Sequence, residues 1–99
     1  MRFQCVRIYR FRRGSLFRVV TSVRLNLIPQ LRKEPGFVRF RFITTADDRA
    51  VSESVWETEA QAASADVVEA DWVRASISDE LDGLPDLLIG PIEVDTASD

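Results

Sequence analysis

The sequence predicts an α+β domain in which a four-stranded antiparallel sheet carries two helices on one face, in the ferredoxin-like order β-α-β-β-α-β. Three observations predict it. Four short segments read as strands, two longer segments carry apolar residues at helical spacing, and the connections between them are short. With right-handed crossovers, that order leaves the split βαβ arrangement. The chain has 99 residues, which suits a single domain spanning 1–99, with 96–99 expected to be a frayed tail.

Taken in order, residues 2–11 alternate in their second half, Val6 and Ile8 pointing one way, Arg7 and Tyr9 the other. This is the pattern of a half-buried strand. Gly14-Ser15 punctuates, with Ser15 placed to cap a helix. Residues 16–33 carry Leu16, Val20, Val23, Leu27 and Leu31 at helical spacing. The segment is too long for one strand and fits an amphipathic helix. Pro29 should kink or end it near Leu25–Ile28, because proline lacks an N–H and crowds the preceding turn. Glu34-Pro35-Gly36 is a turn signal. Residues 37–44 alternate, with Val38, Phe40 and Phe42 on one face and Phe37, Arg39, Arg41 and Ile43 on the other. After the Ala46-Asp47-Asp48 turn, residues 50–56 form the antiparallel partner. Thr58 and Gln61 have the spacing of a capping box, so a second helix should begin there. It should break near Ser64–Asp66 and carry a stripe of Val67, Ala70, Val73, Ile77 and Leu81, with Gly83 as C-cap. Residues 86–95 are the last strand, and Gly90-Pro91 marks a bulge or an edge.

Composition excludes more than it selects. The chain has no His and one Cys, which removes Ser/His and Cys/His nucleophile systems and makes a zinc site unexpected. No glycine-rich dinucleotide fingerprint or P-loop is present. No cofactor and no metal are therefore expected. Cys5 reads as a buried strand residue, and a lone cysteine suits a reducing cytoplasm, the expected location. Charge is split: residues 1–50 carry a net +9 and residues 51–99 a net −12. The basic residues alternate along strands instead of forming one block, so the halves are expected to neutralise each other within the fold or across a dimer. No nucleic-acid partner is implied. Arg interrupts every apolar run before it reaches membrane-spanning length, so no membrane partner is expected either.

The helix-free face of the sheet should hold Phe37, Ile43, Val51 and Val55 beside Arg39, Arg41 and Glu53. That much apolar surface calls for cover, and a second copy packed sheet against sheet is the simplest source. A homodimer through the open sheet face is the expectation.

Pro35-Gly36-Phe37 followed by an alternating strand, Ser54-Val55-Trp56-Glu57-Thr58-Glu59-Ala60, and Gly83-Leu84-Pro85 through Gly90-Pro91 together resemble the antibiotic biosynthesis monooxygenase (ABM) domain. The similarity runs over nearly the whole chain from Val6. It implies a dimeric α/β barrel. It also implies kinship with cofactor-independent oxygenases of aromatic polyketides or quinols, and with haem-degrading proteins. In the polyketide oxygenases the tryptophan matching Trp56 lines a cavity with an Asn four residues earlier, a Tyr six residues later and an Arg on the second helix. Here those places hold Ser52 and Ala62, and the nearest Arg is Arg74. The haem-degrading branch needs a helical His, which this chain lacks.

The resemblance therefore implies Trp56, Ser52 and Arg74 as candidate catalytic residues. Trp56 would stack an aromatic ring, Ser52 would bond a phenol oxygen and Arg74 would pair with an enolate. Tyr9, Phe40, Ser54 and Trp72 are candidates for binding a small hydrophobic or aromatic ligand, with Arg7 a further possibility on the first strand. Each has a plain structural reading as well: the aromatics as core, the serines as ordinary strand residues, and Arg74 as a partner for Glu69, Asp71 or Asp79. The implied function is cofactor-independent oxygenation of a small aromatic or polyketide-like compound in bacterial secondary metabolism. The alternatives are a non-catalytic dimeric binding or structural module, and a polyketide cyclase or isomerase on the same scaffold.

Overall fold

In the computed structural model, which describes residues 1–97, the elements follow the expected order. Strand β1 is Phe3–Arg10, β2 is Phe37–Thr44, β3 is Arg49–Trp56 and β4 is Asp86–Pro91. They form one sheet in the order β2-β3-β1-β4, every neighbouring pair antiparallel. Helix α1 covers 16–32 and helix α2 starts at Glu59. This is the ferredoxin-like arrangement, and no helix among the described residues is long and apolar enough to cross a membrane.

Both helices differ from expectation in the same way. Helix α1 is α-helical over Leu16–Ser22, opens into a wide π turn over Val23–Leu27, and resumes over Ile28–Arg32. At the end of the wide turn the Ile28 N–H reaches back five residues, to the Val23 carbonyl. Pro29 follows at the start of the next segment. It therefore neither ends the helix nor leaves it regular, because the widened turn takes up the crowding a proline causes. Helix α2 runs unbroken over Glu59–Trp72, through the break expected at Ser64–Asp66. Three alanines at 62, 63 and 65 favour the helix there. The irregularity comes later, as a π turn over Val73–Ile77 and a 3-10 turn over Ser78–Glu80. Gly83 is not its C-cap. It lies beyond the 3-10 turn with φ +97°, shaping the loop that leads to β4.

The capping box forms as read: the Gln61 N–H donates to Thr58 Oγ1 at 3.2 Å, and the Thr58 N–H donates to Gln61 Oε1 at 3.1 Å. Ser15 occupies the N-cap of α1 without a side-chain bond. The fraying expected over 96–99 falls partly outside the described residues, and the Ala97 N–H donates to Asp95 Oδ1.

Phe37 is on the opposite face from the one expected. The register shifts between Phe37 and Arg39, so Phe37 pairs with Trp56 and Arg39 with Val55. Val38 is the extra residue of a bulge, which turns Phe37 toward the helices. There it meets Trp56 edge-on, ring centroids 5.5 Å apart. Val67, expected at the upper end of the α2 stripe, is exposed, whereas Val73 and Ile77 of that stripe lie in the core; over Glu59–Trp72 the buried residues are Ala62, Ala65, Glu69 and Trp72. The core lies between sheet and helices, built from Tyr9, Val19, Val23, Leu27, Leu31, Trp56 and their neighbours.

Candidate functional site

Alternation along β1 sends Cys5, Arg7 and Tyr9 toward the helices, and the register places Arg7 opposite Ser52 and Cys5 opposite Ser54. Residues 66 and 69 of α2 descend onto this row. The result is a polar cluster inside the core. Glu69 is 2% exposed. Its Oε2 accepts a short hydrogen bond from the Tyr9 hydroxyl and one of 2.6 Å from the Ser52 hydroxyl. Arg7 Nε stands 3.8 Å from the same oxygen. The Arg7 Nη2 donates to the Asp66 carboxylate and, at 3.4 Å, to the Asp66 carbonyl.

Burying such charges is costly unless they are paired and hydrogen-bonded, and here they are. Burial works against the Arg7 charge, but Tyr9, Glu69 and Asp66 outweigh it and hold the guanidinium above its ordinary value. Burial, and next the Glu69 charge, push the Tyr9 hydroxyl well above the usual tyrosine range. Burial, reinforced by Glu69 and Asp66, pushes the Cys5 thiol up to about 12. Cys5 is thus a neutral thiol, 3% exposed. Among buried side-chain nitrogens, Arg7 Nε and Trp56 Nε1 have no hydrogen-bond acceptor among the described residues.

Although buried, Arg7 also reaches the surface at one place. It forms part of the lining of an open cleft of about 540 Å³ between β1, the end of α2 and the 81–85 loop. The apolar walls are Ala70, Val73, Leu81, Leu84 and Pro85, and the polar groups are Arg7, Arg74 and Ser78. The wide turn at 73–77 carries Arg74 to this cleft, where it pairs with Asp71 and not with Glu69. A mostly apolar cleft of this size with a few convergent polar groups is the usual form of a small-molecule site.

The residues singled out from sequence divide into two groups. Tyr9 and Ser52 meet at Glu69, behind Arg7, and Arg74 lines the cleft. Trp56, Ser54, Phe40 and Trp72 do not line it. Trp56 is fully buried at the end of β3, sealed by Phe37. Ser54 is buried between Cys5 and Phe40, its register partners on either side. Phe40 packs half-buried on the core and walls a groove of about 270 Å³ with Ile28, Arg32 and Arg39. Trp72 ties the helices together, its Nε1 donating to Ser22 Oγ at 3.0 Å. Sequence reasoning missed Glu69 and Asp66 as site residues. The signal for Glu69 was its spacing, four residues after Ala65 and four before Val73, but a search for apolar periodicity passes over a carboxylate.

No family model and no curated protein matches the chain. Solved structures do. A candidate antibiotic biosynthesis monooxygenase from Nitrosomonas europaea aligns with a TM-score of 0.78 at 19% identity, over 93% of this chain and 90% of that one. A monooxygenase of Streptomyces coelicolor, solved with nanaomycin D, aligns with a TM-score of 0.76 at 20% identity, over 94% and 88%. SnoaB of Streptomyces nogalater, a cofactor-independent oxygenase, aligns with a TM-score of 0.75 at 14% identity, over 96% of each chain. The chain has the fold of the antibiotic biosynthesis monooxygenases, as the Pro35-Gly36-Phe37 and Trp56-Glu57 signatures implied.

Proposed function

We propose that this chain binds a small, flat aromatic ketone or phenol of polyketide type in the cleft at Arg7 and Arg74, and oxygenates it directly with O₂. The observation that carries this reading is the cleft itself: apolar walls with two guanidinium groups. Apolar walls suit the ring system, and the cations favour an oxyanion developing on it. Removing a proton beside the ring carbonyl gives an enolate. Its carbon forms a C–O bond with O₂, and the resulting hydroperoxide, once protonated, loses water. One oxygen atom remains as a new carbonyl and the other leaves as water. No bound cofactor enters this balance. The shared fold with a cofactor-independent oxygenase supports it, as does the likeness to a monooxygenase solved with nanaomycin D. We place the reaction in the cytoplasm of a bacterium, in secondary metabolism, in a homodimer joined through the helix-free sheet face, with neither nucleic acid nor membrane as partner.

Oxygen uptake with anthrone-type compounds tests this. The wild-type chain should consume O₂ and yield the quinone. Arg74→Gln should lower kcat/KM about tenfold or more, the effect of losing one hydrogen bond to a charged group, about 1.5–3 kcal/mol. Arg74 is exposed, so this substitution leaves the core intact. Uptake no faster than in buffer would overturn the oxygenase reading. A second reading, a cyclase or isomerase, draws on the carboxylates that stand at Arg7, since those reactions need proton transfer without oxygen. Product formed under nitrogen would select it.

A further inference from the structure

Arg7 has an unusual set of partners. Two carboxylates compete for one guanidinium, and the two are differently placed. Glu69 is buried, fixed by Tyr9 and Ser52 through the same oxygen that approaches Arg7. Asp66 has a side chain 24% exposed. It lies one helical turn from Ala70, a wall of the cleft. Arg7 itself is 8% exposed, lines the cleft, and has an Nε with no hydrogen-bond acceptor among the described residues. Asp66 is not itself a wall of the cleft, but Arg7, which holds it, is, so an oxyanion in the cleft would compete with Asp66 for the same guanidinium.

We infer that Asp66 is the proton acceptor of the cleft, and that Arg7 exchanges Asp66 for the ligand oxygen as the proton moves. The inference rests on the ligand reading given above. The C–H bond beside the ring carbonyl breaks and its proton forms an O–H bond on Asp66. The electron pair shifts to the carbonyl oxygen, giving an enolate that faces Arg7. The cluster of Arg7, Asp66 and Glu69 carries −1 before the step. Afterwards Asp66 is neutral and the ligand oxygen carries the charge, so the total is unchanged. No buried charge is created, which keeps the desolvation cost of the step low. Arg7 is paired throughout, because Glu69 does not move.

The test separates proton removal from oxygenation. Under nitrogen in deuterium oxide, the ring CH₂ protons of anthrone exchange through the enolate and can be followed by proton NMR. The wild-type chain should accelerate exchange. Asp66→Asn keeps a hydrogen-bond acceptor for Arg7 but removes the base. It should lower the exchange rate about 10²–10⁴-fold while the affinity for anthrone changes by only a few-fold. Formate, small enough to enter beside Asn, should restore part of the rate. A far-ultraviolet circular dichroism spectrum matching wild type accompanies the comparison, and Asp66→Ser, which also lacks the carboxylate, serves with the same expected loss if the Asn chain does not fold. Exchange at the wild-type rate in a folded Asp66→Asn chain overturns the inference and leaves the ligand reading standing. A wild-type chain that binds anthrone without accelerating exchange does the same. No binding of anthrone-type compounds overturns both.

Discussion

At the scale of single residues, the most informative side chain is the one that apolar patterning cannot register. Glu69 occupies a core position of α2 and satisfies its charge with Tyr9, Ser52 and Arg7. Replacing it alone by an aliphatic residue would leave the Tyr9 and Ser52 hydroxyls without their shared acceptor and Arg7 with one anion fewer, so the carboxylate and its partners stand or fall as a set. Its influence reaches Cys5 and Tyr9, whose thiol and phenol are both held neutral, by burial first and by Glu69 next. The pH consequence has a definite sign. A group whose folded pKa is raised contributes stability that is complete below its unfolded pKa and is lost as pH rises through the folded value. For Cys5 that window runs from 9.0 to about 12, and Tyr9 acts in the same direction from its ordinary 10.0 upward. Unfolding midpoints in urea should therefore hold steady up to about pH 9 and fall above it. Cys5→Ala should flatten the first part of that fall. Rapid alkylation of the native thiol at pH 8 would contradict this placement of Cys5.

At the scale of elements, the turns were legible, the irregularity of α1 was legible in place through Pro29 but not in form, and that of α2 was not. Thr58, Gln61 and Gly36 show why turns read well: their chemistry is local. Gly36 has φ +81°, and a Cβ there would lie 1.8 Å from Gln61 Oε1, the atom that closes the capping box. Gly36→Ala should therefore cost more than the 0.4–1 kcal/mol scale of a compatible backbone change, roughly 1–3 kcal/mol. Thr58→Ala should cost about 1 kcal/mol through the lost cap. Both act on Gln61, so the double variant should lose less than the two together, which denaturant titration of the four chains would measure. Full additivity would show that the Gly36 contact is independent of the cap. The π turns, in contrast, also answer tertiary demand, in α1 together with the crowding at Pro29. In α1 the buried residues are Val19, Val23, Leu27 and Leu31, a strict spacing of four. On a regular helix that spacing drifts by about 40° per step, and the wide turn at 23–27 absorbs the drift. A period fixed at 3.6 placed Val20 on the stripe and passed over Val19, while Leu16 does pack against the core. The bulge at Val38 escaped for a similar reason, since alternation alone cannot show where one residue drops out of register. So the sheet face was right for Phe40 and Phe42 and wrong for Phe37.

At the scale of the whole molecule, the split in charge and the open sheet face belong together. Some of the opposite charges meet within one chain, as Arg2–Glu57, Arg7–Asp66, Arg18–Glu80 and Arg41–Glu53. The edges of the sheet remain unlike: β2 presents Arg39, while β4 begins at Asp86 and is followed by Glu93. Between them the helix-free face carries Val6, Ile8, Ile43, Val51 and Leu88, with Ile43 48% and Leu88 60% exposed. A two-fold axis through this face can bring the basic edge of one copy over the acidic edge of the other while the apolar middle closes. Two forces then hold the proposed dimer, and they respond differently. Raising salt screens the edges and should weaken association only modestly, whereas a charge in the apolar middle should abolish it. Val51→Asp, on the central strand β3 and away from the cleft, is the decisive substitution. Sedimentation equilibrium at micromolar concentration should show a dimer for wild type in both low and high salt, and a folded monomer for Val51→Asp. A wild-type monomer under these conditions would remove the dimer. A Val51→Asp dimer would move the interface to another surface.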